Sequence, residues 1–581
     1  MSTATMTDRM APASPRLASR IAGVVRVDLR YCVLLAVAGC LLIAQPLRAA
    51  DGVNGNLVTV NWLENNRNSA DVLILDASPT QLYMAGHIPG AVSVDLFSLL
   101  SFGLREMPVA DIEQLYQSLG VSPGRRIVMY DQGGTFLATR LLYSLLYHGF
   151  PSKDLLIVDG GLFKWQKEGL PVTKDISPAP RRGSFRIDKP DEDVRVRLPE
   201  FLTASGDPVN NVLLEANGAD WHFGEVQAFH RAGHIPGAVL LPSADFFNAD
   251  KTFKSAEEIG RMLTYLSIRP EQQIYTHCGG GVAASVPFFA LKFILHYPRV
   301  KLYTESQMGW LFDDRELPYW TYDAPFLMRE TNWLPAWGGR MMRMYGNSQV
   351  SIVDVRPAGA FNQGHLPFAL NVPAELFRKN IASPDKLAEI LGSAGVNPSH
   401  EAVVISGAGL TKDAALAFVL LEKVGQKKTS VYLESMDSPE TIDRLAQRGF
   451  AVTKAATVVG PRKSPQDVSI PTVAYTGNVR KGVIIADPTT AQGIFPRVFV
   501  ASGASVPANA PAGQVVHVPY TSLLNVDGTP KAAKDIWNIL VKAGIPRHAE
   551  LVLISDDPGE AAVNYFVLKL MGYPDLKVVA R

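Results

Sequence analysis

Cysteine is scarce in this chain: three residues in 581. That is too few for a disulfide framework, and no paired spacing suits a cysteine-based zinc site. An excess of one charge is lacking too. Fifty-six basic residues face 55 acidic ones, a formal net charge of +1, so no strong field gathers nucleic acid or an anionic membrane surface. Long apolar stretches are absent: the run at 31–44 (YCVLLAVAGCLLIA) has 14 residues, short for a membrane span. What is there is apolar material for several cores. The chain is 47% hydrophobic, 19% charged and 9% aromatic, which excludes a disordered tail, a collagen-like rod and a stapled miniprotein. At about 150 residues per domain the length suggests roughly four domains.

The 31–44 run follows Arg16, Arg20, Arg26 and Arg30 and ends at Gln45-Pro46. Basic residues before a short apolar core are the pattern of a signal peptide. Residues 1–50 are therefore expected to be an export signal, with translation starting at Met1, Met6 or Met10 and cleavage near Leu47–Ala50. Two other outcomes stay open. Val37-Ala-Gly-Cys40 resembles a lipoprotein processing box with Cys40 as the lipidated residue, and the segment can also remain as an anchor. The expected location is outside the cytoplasm, in a bacterial periplasm, with membrane attachment only through Cys40 or an uncleaved signal. Export removes Cys32 and Cys40, which leaves Cys278 as the only thiol and excludes an internal disulfide.

The rest of the chain repeats itself. Val72-Leu-Ile-Leu-Asp76 leads to Ala85-Gly-His-Ile-Pro-Gly-Ala91, and Val212-Leu-Leu-Glu215 leads to Ala232-Gly-His-Ile-Pro-Gly-Ala238. Ser351-Ile-Val-Asp354 leads to Gly364-His-Leu-Pro-Phe-Ala369; a worn fourth copy is placed at Val483-Ile-Ile-Ala-Asp487. A repeat of this length is one domain per copy. The expected domains are 51–175, 190–324, 326–457 and 472–581, with links at 176–190, near 325–346 and at 458–471. Within each copy short apolar strands alternate with helices, so the expected class is α/β, a mainly parallel sheet covered by helices on both faces. The Gly-His-Ile-Pro-Gly piece is turn chemistry: Gly86 is expected to end a helix at positive φ, Pro89 holds Ile88 extended and Gly90 permits the reversal into the next strand. It reports fold, not activity.

These motifs, with Val158-Asp-Gly-Gly-Leu-Phe-Lys-Trp165, resemble tandem rhodanese (sulfurtransferase) domains. The resemblance implies four such modules, with the reactive group on the turn that follows the third strand of each.

That turn differs between copies. It reads Asp131-Gln-Gly-Gly-Thr135 in the first, Cys278-Gly279-Gly280-Gly281-Val282-Ala283 in the second, Ser406-Gly-Ala-Gly409 in the third and Ser555-Asp-Asp-Pro-Gly559 in the fourth. Asp131 and Cys278 each lie 44 residues after their copy's motif histidine, so they are equivalent, and only the second copy offers a soft nucleophile. A cysteine between strand and helix faces unpaired backbone N–H groups, and three glycines let several of these converge on one point. Such surroundings favour the thiolate. The implied mechanism is covalent: Cys278 takes a sulfur atom from a small donor such as thiosulfate or a 3-mercapto acid, and cyanide or a thiol removes it. It needs no metal and no organic cofactor. His277, Arg231 and Trp221 are candidates to position the donor, the last two from an eight-residue insertion between Glu215 and His234.

Departures from the family pattern leave the donor open. Gly279 and Gly280 carry neither the cations usual in thiosulfate-specific members nor the Ser or Thr usual in mercaptopyruvate-specific ones, and Ala283 and Ala284 stand where single-domain members often have arginine. His277-Cys278 also begins the cysteine-phosphatase pattern His-Cys-x5-Arg, but Ala284 and Ser285 sit where that chemistry needs a guanidinium clamp. The rival from another class is a non-catalytic binding or scaffold protein of an exported sulfur or redox pathway, favoured by three copies without a thiol.

Overall fold

The computed structural model describes residues 52–96, 107–489 and 493–580. The export segment, with Cys32 and Cys40, lies outside the described residues. Among the described residues no helix is long and apolar enough to cross a membrane.

Four sheets share one topology. In the first, the strands run in the order Val53–Asn54, Leu57–Val58, Leu155–Val158, Arg126–Tyr130, Val72–Asp76, Val92–Ser93, all parallel except the first pair. The second reads Arg195–Val196, Val300–Tyr303, Gln273–His277, Asn211–Glu215, Ala238–Leu240. The third reads Met328–Arg329, Lys428–Tyr432, Glu401–Ile405, Val350–Asp354, Ala369–Asn371, and the fourth Ile484–Ile485, Leu576–Val579, Glu550–Ile554, Arg497–Ala501, Val515–His517. The α/β class read from the sequence is what the structure shows. We refer to the four sheets with their helices as units 1 to 4.

Apolar residues fill both faces of the central strands, because both faces are covered. In unit 1, Leu73, Leu75, Ile127 and Met129 point into one core, while Ile74, Val128 and Tyr130 point into another with Trp62 and Trp165. The first of these cores is shared. The helix Leu137–Tyr147 is buried along its whole length and packs on the helix Ser285–Phe289 of unit 2. Tyr143 meets Phe288 edge-on at 5.1 Å, and the hydroxyls of Thr139 and Ser285 are 2.8 Å apart. Units 3 and 4 pair through the equivalent helices, Lys412–Lys423 and Pro558–Leu570, with Phe418 and Phe566 at 5.0 Å. Each buried leucine in such a seam contributes about 1.5–3 kcal/mol. A helix with no polar side is stable only when buried all round.

The structure corrects several expectations. Ile484–Ile485 is the edge strand of unit 4, paired with Leu576–Val579. The central strand there is Arg497–Ala501, so Ala501, not Asp487, matches Asp76. The supposed link at 458–471 contributes a small parallel ribbon, Thr457–Val459 with Val468–Ile470. The stretch near 325–346 holds the edge strand Met328–Arg329 and two short helices of unit 3. Gly86 has φ 161°, an extended backbone rather than the expected left-handed one, whereas Gly90 has φ 85°.

Candidate active site in unit 2

Cys278 follows the strand Gln273–His277, which lies between two parallel neighbours. The carboxyl end of such a strand is where open α/β sheets hold ligands. Cys278 is 3% exposed. Its Sγ accepts the N–H of Gly281 at 3.2 Å. The expected cup is smaller than the sequence suggested: the Cys278 N–H donates to Ser306 Oγ and the Gly279 N–H to Asn217 Oδ1, both at 3.0 Å. Among the described residues the N–H groups of Gly280, Val282 and Ala283, three half-buried residues, meet no protein acceptor, which leaves donors in the loop for an anion.

Packing on both sides explains much of the glycine run. Gly281 has φ +79°, and a Cβ there would lie 2.2 Å from Thr304 O; one on Gly279 would lie 2.9 Å from the Trp221 ring. Ser306 closes the back of the loop at φ 50°, a left-handed conformation costly for a non-glycine residue. Its hydroxyl offsets that cost by donating to Tyr303 O at 2.7 Å while accepting from Cys278.

Unit 1 supplies the other wall. A cavity of about 260 Å³ opens between the units, lined by Arg140, Tyr143, Tyr147, Arg195, Arg197 and Thr304 among others. Thr304 joins it to the loop, since its backbone lies against Gly281. Arg140 donates to Ser144 Oγ at 3.1 Å and lies within electrostatic reach of Cys278; burial pulls its guanidinium below the usual range. Arg195 donates to Tyr147 Oη at 3.2 Å and to Glu305 at 2.6 Å. His148, on the same wall, is lowered by burial to about 4 and is neutral at ordinary pH.

The candidates read from the sequence separate. Trp221 does reach the loop, at Gly279, with Phe229 edge-on to it at 6.2 Å. Arg231 lies over the Tyr319 ring at 5.6 Å and, among the described residues, makes no hydrogen bond or ion pair with the loop. His277 corrects a further expectation: strand alternation turns it away from Cys278, it is buried edge-on to Phe201 at 5.4 Å, and burial lowers it to about 4. Val282 and Ala283 are half-buried against the shared core. Ser306, Asn217, Arg140 and Arg195 were not foreseen. Arg140 had one signal, a lone cation in the otherwise uncharged helix LATRLLYSLLY.

The other three turns are filled differently. In unit 1 the Asp131 carboxylate accepts the N–H groups of Gly133 at 2.8 Å and of Leu137 and Ala138 at 3.0 Å, so an anion sits where unit 2 has sulfur. Ser406 donates to Gly409 O and Ser555 to Glu560.

A second buried cluster lies beside this site. His222 Nδ1 is 2.7 Å from Glu215 and its Nε2 2.7 Å from Asp323, while the His234 ring stacks on it at 3.6 Å. Burial opposes charge on His222, but Asp323 and Glu215 outweigh it and raise the group to about 9; His234 is lowered by burial to about 4. Glu215 also accepts from Asn217 at 2.9 Å and from Gln307 at 2.8 Å.

Comparison with known proteins agrees with this architecture. The model of the family described as Rhodanese-like domain matches residues 59–168 and 339–438. The chain is 29% identical over 267 residues to the sulfur carrier protein TtuD of Thermus thermophilus, an alignment covering 44% of this chain and 93% of that protein. It is 30% identical over 281 residues to a Pseudomonas aeruginosa protein named "Probable 3-mercaptopyruvate sulfurtransferase", covering 45% of this chain and 97% of that one. The crystal structure of SseA from Escherichia coli, described as having the "Rhodanese" fold of 3-mercaptopyruvate sulfotransferases, superposes with a TM-score of 0.40 at 26% identity over 44% of this chain and 99% of that chain. The two matched regions and the relative aligned over nearly its full length show that the chain belongs to the rhodanese-like sulfurtransferase family.

Proposed function

We propose that unit 2 transfers sulfane sulfur through a persulfide on Cys278, and that all four units are rhodanese-like modules of which only this one is reactive. The observation that carries the reading is the placement of Cys278 Sγ. It accepts one loop amide at 3.2 Å at the C-terminal end of a parallel strand, and the Gly281 of that loop abuts Thr304, a wall residue of the cavity that Arg140, Arg195 and Arg197 line. Those three cations suit an anionic donor, although the loop itself carries none.

With thiosulfate the Cys278 thiolate attacks the outer sulfur. The new S–S bond takes the thiolate pair, the old S–S bond breaks, and sulfite leaves with its electrons. Cyanide then attacks the outer sulfur of the Cys278 persulfide, forms thiocyanate and restores the thiolate. The Gly281 N–H and the free loop amides stabilise the negative charge at each stage. A 3-mercapto acid, also an anionic donor, fits the same cavity chemistry. Residues 1–50 are read as the export signal that takes the protein to the periplasm.

The competing reading, binding without catalysis, is favoured by the 3% exposure of Cys278. A cyanide-dependent thiocyanate assay on wild type and Cys278→Ser separates the two. Activity in the wild type that is lost in the variant, with a mass gain of one sulfur atom on Cys278 after donor exposure, supports transfer. Equal rates in the two proteins remove it.

A further inference from the structure

The stacked histidines of unit 2 are understood by comparison with their counterparts in the same chain. In unit 1 the motif histidine His87 stacks on Tyr83 at 3.7 Å, and its two ring nitrogens face Tyr83 O and Asp175 O at 2.9 and 3.1 Å. In unit 3 His365 stacks on Phe361 at 3.8 Å, with Phe361 O at 3.0 Å and Ala455 O at 3.2 Å. Both are satisfied structural histidines. Unit 2 departs at each point. An imidazole, His222, replaces the aromatic ring. No carbonyl meets the far nitrogen: His234 Nε2 is buried without a hydrogen-bond partner, and the Asp323 carboxylate stands beyond hydrogen-bond range, its Oδ1 4.0 Å away and its Oδ2 also unpartnered.

The proton positions follow from the partners. His234 Nδ1 is 2.8 Å from the carbonyl oxygen of His222, which can only accept, so Nδ1 carries the proton and the lone pair of Nε2 points toward Asp323. His222 Nδ1 is held by Glu215 at 2.7 Å, which leaves Nε2 as the end that meets Asp323, at 2.7 Å. An imidazole whose other nitrogen is held by a carboxylate or a backbone carbonyl is how proteins orient a metal-binding histidine. The three candidate donor atoms lie within 4.8 Å of one another.

From this geometry we infer that His222 Nε2, His234 Nε2 and the Asp323 carboxylate form a binding site for one divalent transition metal of the zinc class. Glu215 orients His222 from behind. Two imidazoles and one carboxylate are an ordinary zinc donor set with a coordination position left over. Binding replaces the proton that bridges His222 Nε2 and Asp323, so one proton leaves as the ion enters. The way in is past Asp323, whose side chain is 15% exposed while both histidines are buried. Arg547 of unit 4 faces the same carboxylate and opposes the ion electrostatically, so the site is expected to be one of moderate affinity. It is separate from the sulfur chemistry but tied to it, since Glu215 also holds Asn217, which accepts the Gly279 N–H.

The test uses the full chain, stripped with a chelator and titrated with Zn2+ alone by calorimetry, and with Co2+ by absorption. The expected result is one equivalent bound per chain, a rise in Tm with Zn2+, and cobalt ligand-field bands without thiolate charge transfer. Cys278→Ser should bind as the wild type does, which separates this site from the thiol. His222→Phe installs the aromatic ring that unit 3 uses at the same place and should fold while abolishing binding. Glu215→Gln should weaken it about 10–100-fold. Asp323→Asn gives a second loss-of-ligand variant should His222→Phe not fold. No binding by the wild type, or undiminished binding in His222→Phe or Asp323→Asn, overturns the inference.

Discussion

The hydroxyl of Ser306 accepts the backbone N–H of Cys278 at 3.0 Å. One of the amides that the glycine-rich turn seemed to offer to sulfur is thereby spent on the wall of the loop. The sulfur keeps the amide of Gly281, and the loop is held in shape by side chains from two other segments, Ser306 and Asn217.

The glycines of the loop are therefore not equivalent. Gly281→Ala meets both a left-handed φ and Thr304 O at 2.2 Å, and should cost about 1–3 kcal/mol of stability with a matching loss of thiocyanate production. Gly280→Ala meets only the flexible end of Met308 at 3.2 Å and should stay within about 1 kcal/mol. Denaturant melts of the two variants check the order; a reversed order would contradict the loop geometry.

Arg140 should act on donor binding. Arg140→Met keeps the volume of the side chain and removes a buried cation, so the fold should hold, while KM for thiosulfate rises roughly tenfold, about 1.4 kcal/mol. Saturation curves against thiosulfate measure it. An unchanged KM would place the donor elsewhere.

Asp131 is a structural anion. Asp131→Ala removes an acceptor of three N–H groups and should lower stability by about 2–3 kcal/mol, with sulfur loading of Cys278 intact in the folded protein. Loss of loading at full folding would give unit 1 a chemical role.

Asp159 gives a pH signature. Burial first, then the nearby Asp250 charge, raises it to about 6, while its Oδ1 accepts the Phe253 N–H of unit 2 at 2.8 Å. The folded state thus binds this proton more tightly than the unfolded chain does. Its contribution to stability is present below about 3.8 and lost as pH rises through 6. Asp159→Asn keeps the acceptor without the charge. It should melt higher than the wild type at pH 7.5, with the gap closing below pH 4. A gap independent of pH would show that charge is not the cause.

Three units could be read because their strands carry the same apolar run, acid and turn, as Val72–Asp76 with Gly86–Gly90 does in unit 1. Unit 4 was misaligned at Asp487 because Ile484–Ile485 is as apolar as a central strand, and pairing alone tells edge from centre. His277 misled for a related reason: Cys278 beside it belongs to the core shared with unit 1, and a period of two sends His277 to the other side, against Phe201. The cavity wall was missed because Arg140 stands in another unit, where local sequence gives no hint of which helix meets which.

The order of residues by itself determined the α/β units, their turns and the one thiol among the described residues at a strand end, because strand period, helix period and turn chemistry are local properties. Which helices pair, which amides are left over, and the meeting of His222, His234 and Asp323 were decided only by tertiary packing. Those contacts join positions up to about a hundred residues apart, and no local pattern encodes either the carboxylates that keep His222 charged or the burial that keeps His234 neutral.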